Sequence, residues 1–436
     1  MLTTRALSDA ARPRPMSIVV AVAIAAACGG ESAAPSVDST GTKGATCALR
    51  DASLSLPAGF CASIFADRIG VARHVAVAAN GDVFVTIQGG GGPVMALRDA
   101  DRDGRADSVV RIGSGSGGTG IGLYGGFLYV DQGSQIVRYP LANGALRPSG
   151  AGQPVVTGLP TGGHDARNFA IDAQGNLFVN VGSSTNSCQQ SDRSAGSPGI
   201  DPCSELNTRA GIWRFSASAT GQSFSASARY ATGLRNSEGL ALAADGSLWA
   251  ATHGRDQLYD NWPKLFDAVY SADNPGEELV QVSQGDDFGW PYCYYALAAQ
   301  KLVLAPEFGG DGTKTTRCDQ KKNAVVAMPG HWAPMSLLLY TGSAFPSRYT
   351  SGAFIAFHGS WNRAPQPQAG YRVVFIPSAN GRPSTQYETF ADGFAGGSLD
   401  PNGAAHRPVG LAQGPSGEIY ITDDKAGRVW KVTYTP

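Results

Sequence analysis

The 436 residues carry 34 Lys and Arg against 35 Asp and Glu, and only 16% of the chain is charged. With 42% hydrophobic and 9% aromatic residues, the chain can bury enough apolar surface to offset its conformational entropy, which excludes a disordered polypeptide. Balanced charge without a basic run excludes a nucleic-acid-binding surface, and 57 glycines suit one large β domain with many turns.

Arg5, Arg12 and Arg14 precede an apolar run from Ser17 to Ala27, too short to span a bilayer, and residues 1–27 read as an export signal. The small residues before Cys28 resemble a bacterial lipoprotein cleavage site. The sequence therefore predicts a lipid on Cys28 and a periplasmic or cell-surface location with membrane contact through that anchor alone; ordinary cleavage at nearby small residues, leaving a soluble secreted protein, is the alternative. Residues 28–50 read as a flexible tether and residues 51–436 as the folded domain. Six further cysteines in an oxidising compartment predict disulfides. Fifteen pairings are open; pairing in chain order joins Cys47 to Cys61, Cys188 to Cys203 and Cys293 to Cys318, and closing each of the first two loops stabilises by about 3 kcal/mol.

A hairpin pattern then recurs six times. VAVAANGDVFV, GLYGGFLYV, FAIDAQGNLFV, LALAADGSLWA, the looser MSLLLYTGSAFPSRYTSGAFIA and GLAQGPSGEIYI each give a short apolar strand, a Gly-containing turn and a second alternating strand. A third strand follows each: VMALRD, IVRYPL, GIWRFS, ELVQVS, YRVVFIP and RVWKVTY. Six such sheets arranged radially predict an all-β, six-bladed β-propeller. Helical periodicity is confined to one short predicted helix within Asp256 to Tyr270, which excludes doubly wound and (β/α) barrel folds.

Two loops stand out. DADRDGRAD places Asp99, Asp101, Asp103 and Asp107 at positions 1, 3, 5 and 9 around a glycine at 6, the first part of a calcium loop, with Val110 where a bidentate glutamate belongs. The expectation is a structural calcium ion in a connection between strands, with a solvated acidic turn as the alternative. GSGSGGTGIG, Gly113 to Gly122, leads into a strand instead of a helix, so it reads as a blade connection and not a dinucleotide loop.

Residues just before each first strand and just after each second strand share one end of the ring. Those positions hold Arg73-His74, Arg167-Asn168, Arg235-Asn236, His331-Trp332 and His406-Arg407, then Ser183-Ser184, His253 to Asp256, His358 to Arg363 and Asp423-Asp424. Converging guanidinium groups repel unless an anion sits among them. The expected ligand carries several carboxylates or phosphates and a flat part that Trp290, Trp332 or Trp361 can cover.

The segments GGHDARN, GLRNSEGLALAADGSLWAATHGRDQL, EELVQVSQGDDFGWPYCYY, FHGSWNRAPQPQAGYRVVF and AAHRPVGLAQGPSGEIYITDD resemble the sorbosone and pyranose dehydrogenases that use pyrroloquinoline quinone (PQQ). Those are related to the soluble quinoprotein glucose dehydrogenases. The resemblance runs from about Leu56 to Tyr434 and implies a six-bladed propeller, a tricarboxylate quinone cofactor and calcium. It implies that His164 is the base taking the substrate hydroxyl proton as hydride passes to the quinone, that Arg235 and Asn236 flank the quinone carbonyl, and that Arg407 lies near the open cofactor face. It further implies that the backbone carbonyls of Gly254 and Arg255 hold the cofactor calcium. Arg73, Arg167, Asn168, His358 and Arg363 complete the expected cofactor contacts from the ring and general similarity. The implied activity is oxidation of an aldose, pyranose or ketoaldehyde sugar, with the electrons leaving to an external acceptor because the chain has no haem-attachment motif. A calcium-dependent propeller lactonase and a noncatalytic surface lipoprotein that binds glycans or proteins are the competing readings.

Overall fold

The computed structural model describes residues 50–436. The export signal, Cys28, most of the tether and Cys47, and with Cys47 the first predicted disulfide, lie outside the described residues.

Six four-stranded antiparallel sheets form the blades of a propeller, each meandering from an inner strand to an outer one. Blade one is Val71–Val77, Val83–Gln88, Val94–Arg98 and Ser108–Ile112; blade two is Ile121–Tyr124, Phe127–Asp131, Ile136–Pro140 and Gln153–Thr157. Blade two alone gains a fifth, parallel strand from Gln222–Ser223. Blade three is Phe169–Ile171, Asn176–Val181, Gly211–Ser216 and Arg229–Thr232; blade four is Gly239–Leu242, Leu248–Thr252, Glu277–Val282 and Val326–Met328. Blade five is Pro334–Leu339, Ala353–Phe357, Arg372–Ile376 and Glu388–Ala391. Blade six takes Pro408–Gln413, Ile419–Asp423 and Arg428–Tyr434 from the end of the chain and its outer strand, Phe60–Ala66, from the start. Pairing of Phe60 with Tyr434 and of Ile64 with Trp430 closes the circle.

The period-two pattern explains where the core sits. One face of each blade packs on the blade before it and the other on the blade after, so inner strands read apolar on both sides. Six apolar clusters result, one in each seam. Tyr129, Ile136 and Val155 meet Phe169, Leu177 and Trp213 between blades two and three; Phe65, Tyr420 and Val429 meet Val75 and Val83 between six and one. Neighbouring inner strands touch around the whole ring.

Two long excursions cover one end. The connection between the second and third strands of blade three carries the Cys188–Cys203 disulfide, and the excursion before the outer strand of blade four carries Cys293–Cys318. Both bonds follow the chain-order pairing. Where one short helix is predicted, the chain forms two, Leu258–Asn261 and Ala268–Asp273, the second capped by Asp267, whose side chain accepts from Tyr270 N at 2.7 Å. The break falls at Trp262-Pro263-Lys264, where proline has no N–H to continue the first helix. No helix among the described residues is long and apolar enough to cross a membrane.

Candidate active site

Strand direction alternates within a blade, so every inner strand starts, and every second strand ends, at the same end of the propeller. The polar pairs picked out above therefore share one face, crossed by contacts between blades.

His164 sits on the loop entering blade three, about half-buried at its rim. Its Nδ1 lies 2.9 Å from the Ser183 carbonyl oxygen and 3.0 Å from the Ser183 hydroxyl, and that hydroxyl donates onward to the Thr185 carbonyl at 2.7 Å. Both neighbours of Nδ1 are thus acceptors, which puts the ring proton on Nδ1 and leaves the Nε2 lone pair free. Burial, then the positive charge of Arg235, pushes the His164 pKa down to about 3, so the imidazole is neutral across physiological pH.

Arg235 is buried and bonded through all three of its side-chain nitrogens. Its Nε donates to the Asn186 carbonyl at 3.1 Å, Nη1 to the Gly254 carbonyl at 2.8 Å, and Nη2 to Asn186 Oδ1 at 3.1 Å and Asp256 Oδ2 at 2.9 Å. Asp256 also takes Arg193 Nη2 at 2.9 Å and Asn362 Nδ2 at 2.8 Å, so it ties the loops of blades three, four and five together. Burial opposes its charge, but Arg235, His331 and Arg193 together hold its carboxyl well below the usual range. The Gly254 carbonyl, an expected calcium ligand, already accepts from Arg235, and the neighbouring Arg255 side chain is buried in an ion pair with Glu307.

Across the axis, Arg73 of blade one pairs with Glu238 of the opposite blade four, Nη2 to Oε2 at 3.0 Å, both side chains buried. Its Nη1 reaches Asp424 Oδ2 at 2.8 Å, and the other Asp424 oxygen meets His358 Nε2 at 2.9 Å. Burial raises and His358 and Arg73 lower the Asp424 pKa, which ends near 2. Asn236 Nδ2 donates to Glu238 Oε1 at 3.2 Å, and Asn168 Nδ2 donates to the Glu238 carbonyl. Arg407 spans blades six and five, with Nε to the His358 carbonyl at 3.0 Å and Nη2 to the Gly359 carbonyl at 2.7 Å, and forms no ion pair among the described residues.

Arg235 and Asn236 thus lie beside His164, and Arg73, Asn168, His358 and Arg407 lie on the same face, linked through Glu238 and Asp424. One expected contact stands apart. Arg363 holds loops, with Nη2 on Asp273 Oδ1 at 2.9 Å, Nη1 on the Gly330 carbonyl at 3.1 Å and Nε on the Pro367 carbonyl at 3.1 Å. Arg167, three residues after His164, is 0% exposed and its three side-chain nitrogens have no hydrogen-bond partner among the described residues; Asp131 of blade two and Asp165 and Arg209 of the blade three loops act on its charge.

Glu238, Asp256 and Asp424 supply counter-charge to Arg73, Arg193 and Arg235 from within the chain, while Arg407 and Arg167 have no ion-pair partner among the described residues. Glu238 follows Asn236 by two residues; a near-neutral sequence with many arginines on one face is the signal that such carboxylates exist. Of the three tryptophans, Trp290 is buried and donates Nε1 to the Asn186 carbonyl at 3.0 Å, and Trp332 packs edge-on against Phe357. Trp361 is 55% exposed.

The acidic loop lies between the third and fourth strands of blade one, hence at the opposite end of the propeller. Carboxylate oxygens of Asp99, Asp101 and Asp107 lie within 4.8 Å of one another, while Asp103 falls outside that group and accepts from Arg105 N at 2.8 Å. Among the described residues this is the one cluster of three or more metal-ligating side chains.

An uncharacterised protein of Borreliella burgdorferi is 29% identical over 206 residues, 47% of this chain and 48% of that protein. A pyrroloquinoline quinone-dependent pyranose dehydrogenase of Coprinopsis cinerea is 26% identical over 233 residues, 45% of this chain and 30% of that one. The chain thus spans less than half the length of these curated relatives. The holo form of the Coprinopsis cinerea pyranose dehydrogenase PQQ domain shares the fold, with a TM-score of 0.71 at 18% identity over 87% of this chain and 97% of that one. Residues 54–435 match the TrAA12-like family model, and the chain belongs to this family of PQQ-dependent pyranose dehydrogenase-like propellers.

Proposed function

We propose that this protein is an exported PQQ-dependent dehydrogenase that oxidises an aldose, pyranose or ketoaldehyde sugar and passes the electrons to an external acceptor. The observation that carries the reading is the fixed tautomer of His164: a neutral imidazole with a free Nε2, on the face where Arg73, Arg235, His358 and Arg407 meet. A lactonase would need carboxylates gathered round a central metal. Here Glu238, Asp256 and Asp424 are each held by an arginine instead.

The side chains suit a flat polycarboxylate. Among the described residues Arg407 has no ion-pair partner, and Arg73 Nε, all three side-chain nitrogens of Arg167, His253 Nε2 and Asn362 Oδ1 are buried polar atoms without partners. Arg73, Arg407 and His358, with Arg235 and Asn236, would hold such a cofactor. The Gly254 carbonyl would have to share its oxygen between Arg235 and calcium. When bound, PQQ with calcium supplies an acceptor for hydride.

The chain's own residues do the rest. Ser183 orients the His164 ring, Nε2 accepts the proton of the substrate hydroxyl, and Asp256 fixes Arg235 so that its charge stays beside the reacting atoms. Because Arg235 disfavours an imidazolium, negative charge placed next to it makes His164 a stronger base. At the other end, calcium on Asp99, Asp101 and Asp107 would tie down the blade one connection without a part in the chemistry.

Apoprotein given PQQ and calcium should reduce an artificial electron-accepting dye with at least one sugar of a panel of aldoses and ketoaldehydes. His164→Ala should lower turnover by about a hundredfold or more while keeping cofactor binding. Full turnover in that variant would remove the base, and no dye reduction by the wild type would remove the activity.

A further inference from the structure

We infer that Trp361 is the platform of a second saccharide subsite, a surface on which the next pyranose ring of a di- or oligosaccharide stacks while the terminal ring occupies the site of His164. The inference rests on the sugar-oxidising reading of that face.

The first observation is a contrast within one loop. Gly359 N donates to the Trp332 carbonyl at 3.0 Å, Ser360 N to the Ala369 carbonyl at 2.8 Å and Asn362 Nδ2 to Asp256 Oδ1 at 2.8 Å, and Arg363 is fixed by the bonds given above. The residues on both sides of Trp361 are thus immobilised, yet its indole is 55% exposed. None of the other six tryptophans is exposed: Trp213, Trp249, Trp290 and Trp430 are buried, and Trp262 and Trp332 are partly covered. Leaving an indole in water forgoes the largest burial gain of any side chain, so a rigid loop that does so presents a ready surface to a partner with an apolar face.

The second observation is location. The Arg193 guanidinium sits over the Trp361 ring, 5.9 Å from its centroid, and Arg193 Nη2 bonds Asp256 Oδ2 at 2.9 Å, the oxygen that also holds Arg235 at 2.9 Å. Asn362, next in sequence, takes the other Asp256 oxygen. Both neighbours of the indole therefore anchor on the carboxylate that fixes Arg235, which puts Trp361 on the wall beside the reacting site. Arg193 is itself held by Gln189 and Gln257 at 2.9 and 2.8 Å, within the loop closed by Cys188–Cys203.

The third consideration is chemical. A pyranose ring carries C–H groups on its faces and hydroxyls on its edge, so it covers an indole with its faces while the edge stays hydrated or meets Gln257 and Arg193. A lone hexose bound for oxidation already has its ring committed to the inner site; the indole at the rim adds contact to the ring linked behind it.

The test is calorimetric titration of the full-length protein with cellotriose, maltotriose, xylotriose and mannotriose against glucose, xylose and mannose, a readout that does not depend on the indole being replaced. At least one trisaccharide should bind the wild type about tenfold more tightly than its monosaccharide. Trp361→Ala should abolish that preference and Trp361→Phe, which keeps a flat ring, should retain most of it. In reconstituted enzyme the same Ala substitution should raise KM for the trisaccharide about tenfold with kcat held. Equal affinity for tri- and monosaccharides in the wild type, or an unchanged preference in Trp361→Ala, would overturn the subsite. Trisaccharide binding without dye reduction would refute the dehydrogenase and leave the subsite standing, so the two failures are distinct.

Discussion

Asp256 is bonded by Arg193, Arg235 and Asn362, and so neutralises within the protein a charge that strand-end arginines would otherwise present to a ligand. Glu238 and Asp424 do the same for Arg73. What this leaves for an incoming anion is narrower than a ring of bare guanidiniums: Arg407 without a carboxylate, and the positive potential of Arg235 beside His164. That potential has a measurable result. An ordinary histidine titrates near 6.5, whereas burial and Arg235 carry His164 to about 3. In the apoprotein its ring should stay neutral from pH 8 down to pH 4, with the proton on Nδ1, as read by nitrogen-15 NMR with His164→Ala for assignment. Titration of His164 near 6.5 would show that neither effect acts on it. His164 could be reached from the sequence because its motif is distinctive, and the arginines because strand ends fall at regular places. Their counter-charges could not, since Glu238 meets Arg73 from a position 165 residues away, a pairing that only ring closure creates.

At the scale of elements, the loops between second and third strands build the site, and they are its least regular parts. The blade three loop, Gly182 to Ala210, carries Ser183, Thr185 and Arg193 and is stapled by Cys188–Cys203. Glu205 on its return leg accepts from Ser184 N at 2.6 Å and Thr185 N at 3.2 Å, so the loop positions the residue that orients His164. Replacing both cysteines by serine should destabilise the protein by about 3 kcal/mol in urea unfolding, the loop-closure value for a loop of this size. His164 should lose proton-accepting efficiency in parallel, seen as a fall in kcat larger than the change in KM. Unchanged stability and turnover would mean that the return leg holds itself. The hairpin strands were legible in the sequence from alternation and Gly turns. The outer strands were not: Ser108–Ile112, Gln153–Thr157 and Val326–Met328 are short and flank long loops, so too little periodicity survives to read.

At the scale of the whole molecule, six interblade clusters and one closure hold the ring. The first and last strands of the fold meet in blade six, where Phe60 lies edge-on to Phe345, Tyr349 and Phe390 at 4.7, 5.1 and 5.0 Å between ring centroids. Nothing in the repeat count foretells this closure, because it pairs residues at opposite ends of the sequence and leaves no local mark. Phe60→Ala should cost about 3 kcal/mol, with far-UV and near-UV dichroism melting together, because opening the closure exposes the seams on both sides of blade six. Separate melting of the two signals would mean that the ring tolerates an open blade.

The account depends most on the face of Arg73, His358 and Arg407 taking up a flat, multiply acidic cofactor, and calorimetric titration of the apoprotein with PQQ in the presence of calcium tests that directly. One equivalent should bind saturably. Arg407→Ala should weaken binding about tenfold or more, and Arg363→Ala, whose guanidinium only braces loops, should bind within about twofold of the wild type, since a charge-assisted contact contributes about 1.5–3 kcal/mol. No saturable uptake by the wild type, or equal loss in both variants, would contradict it.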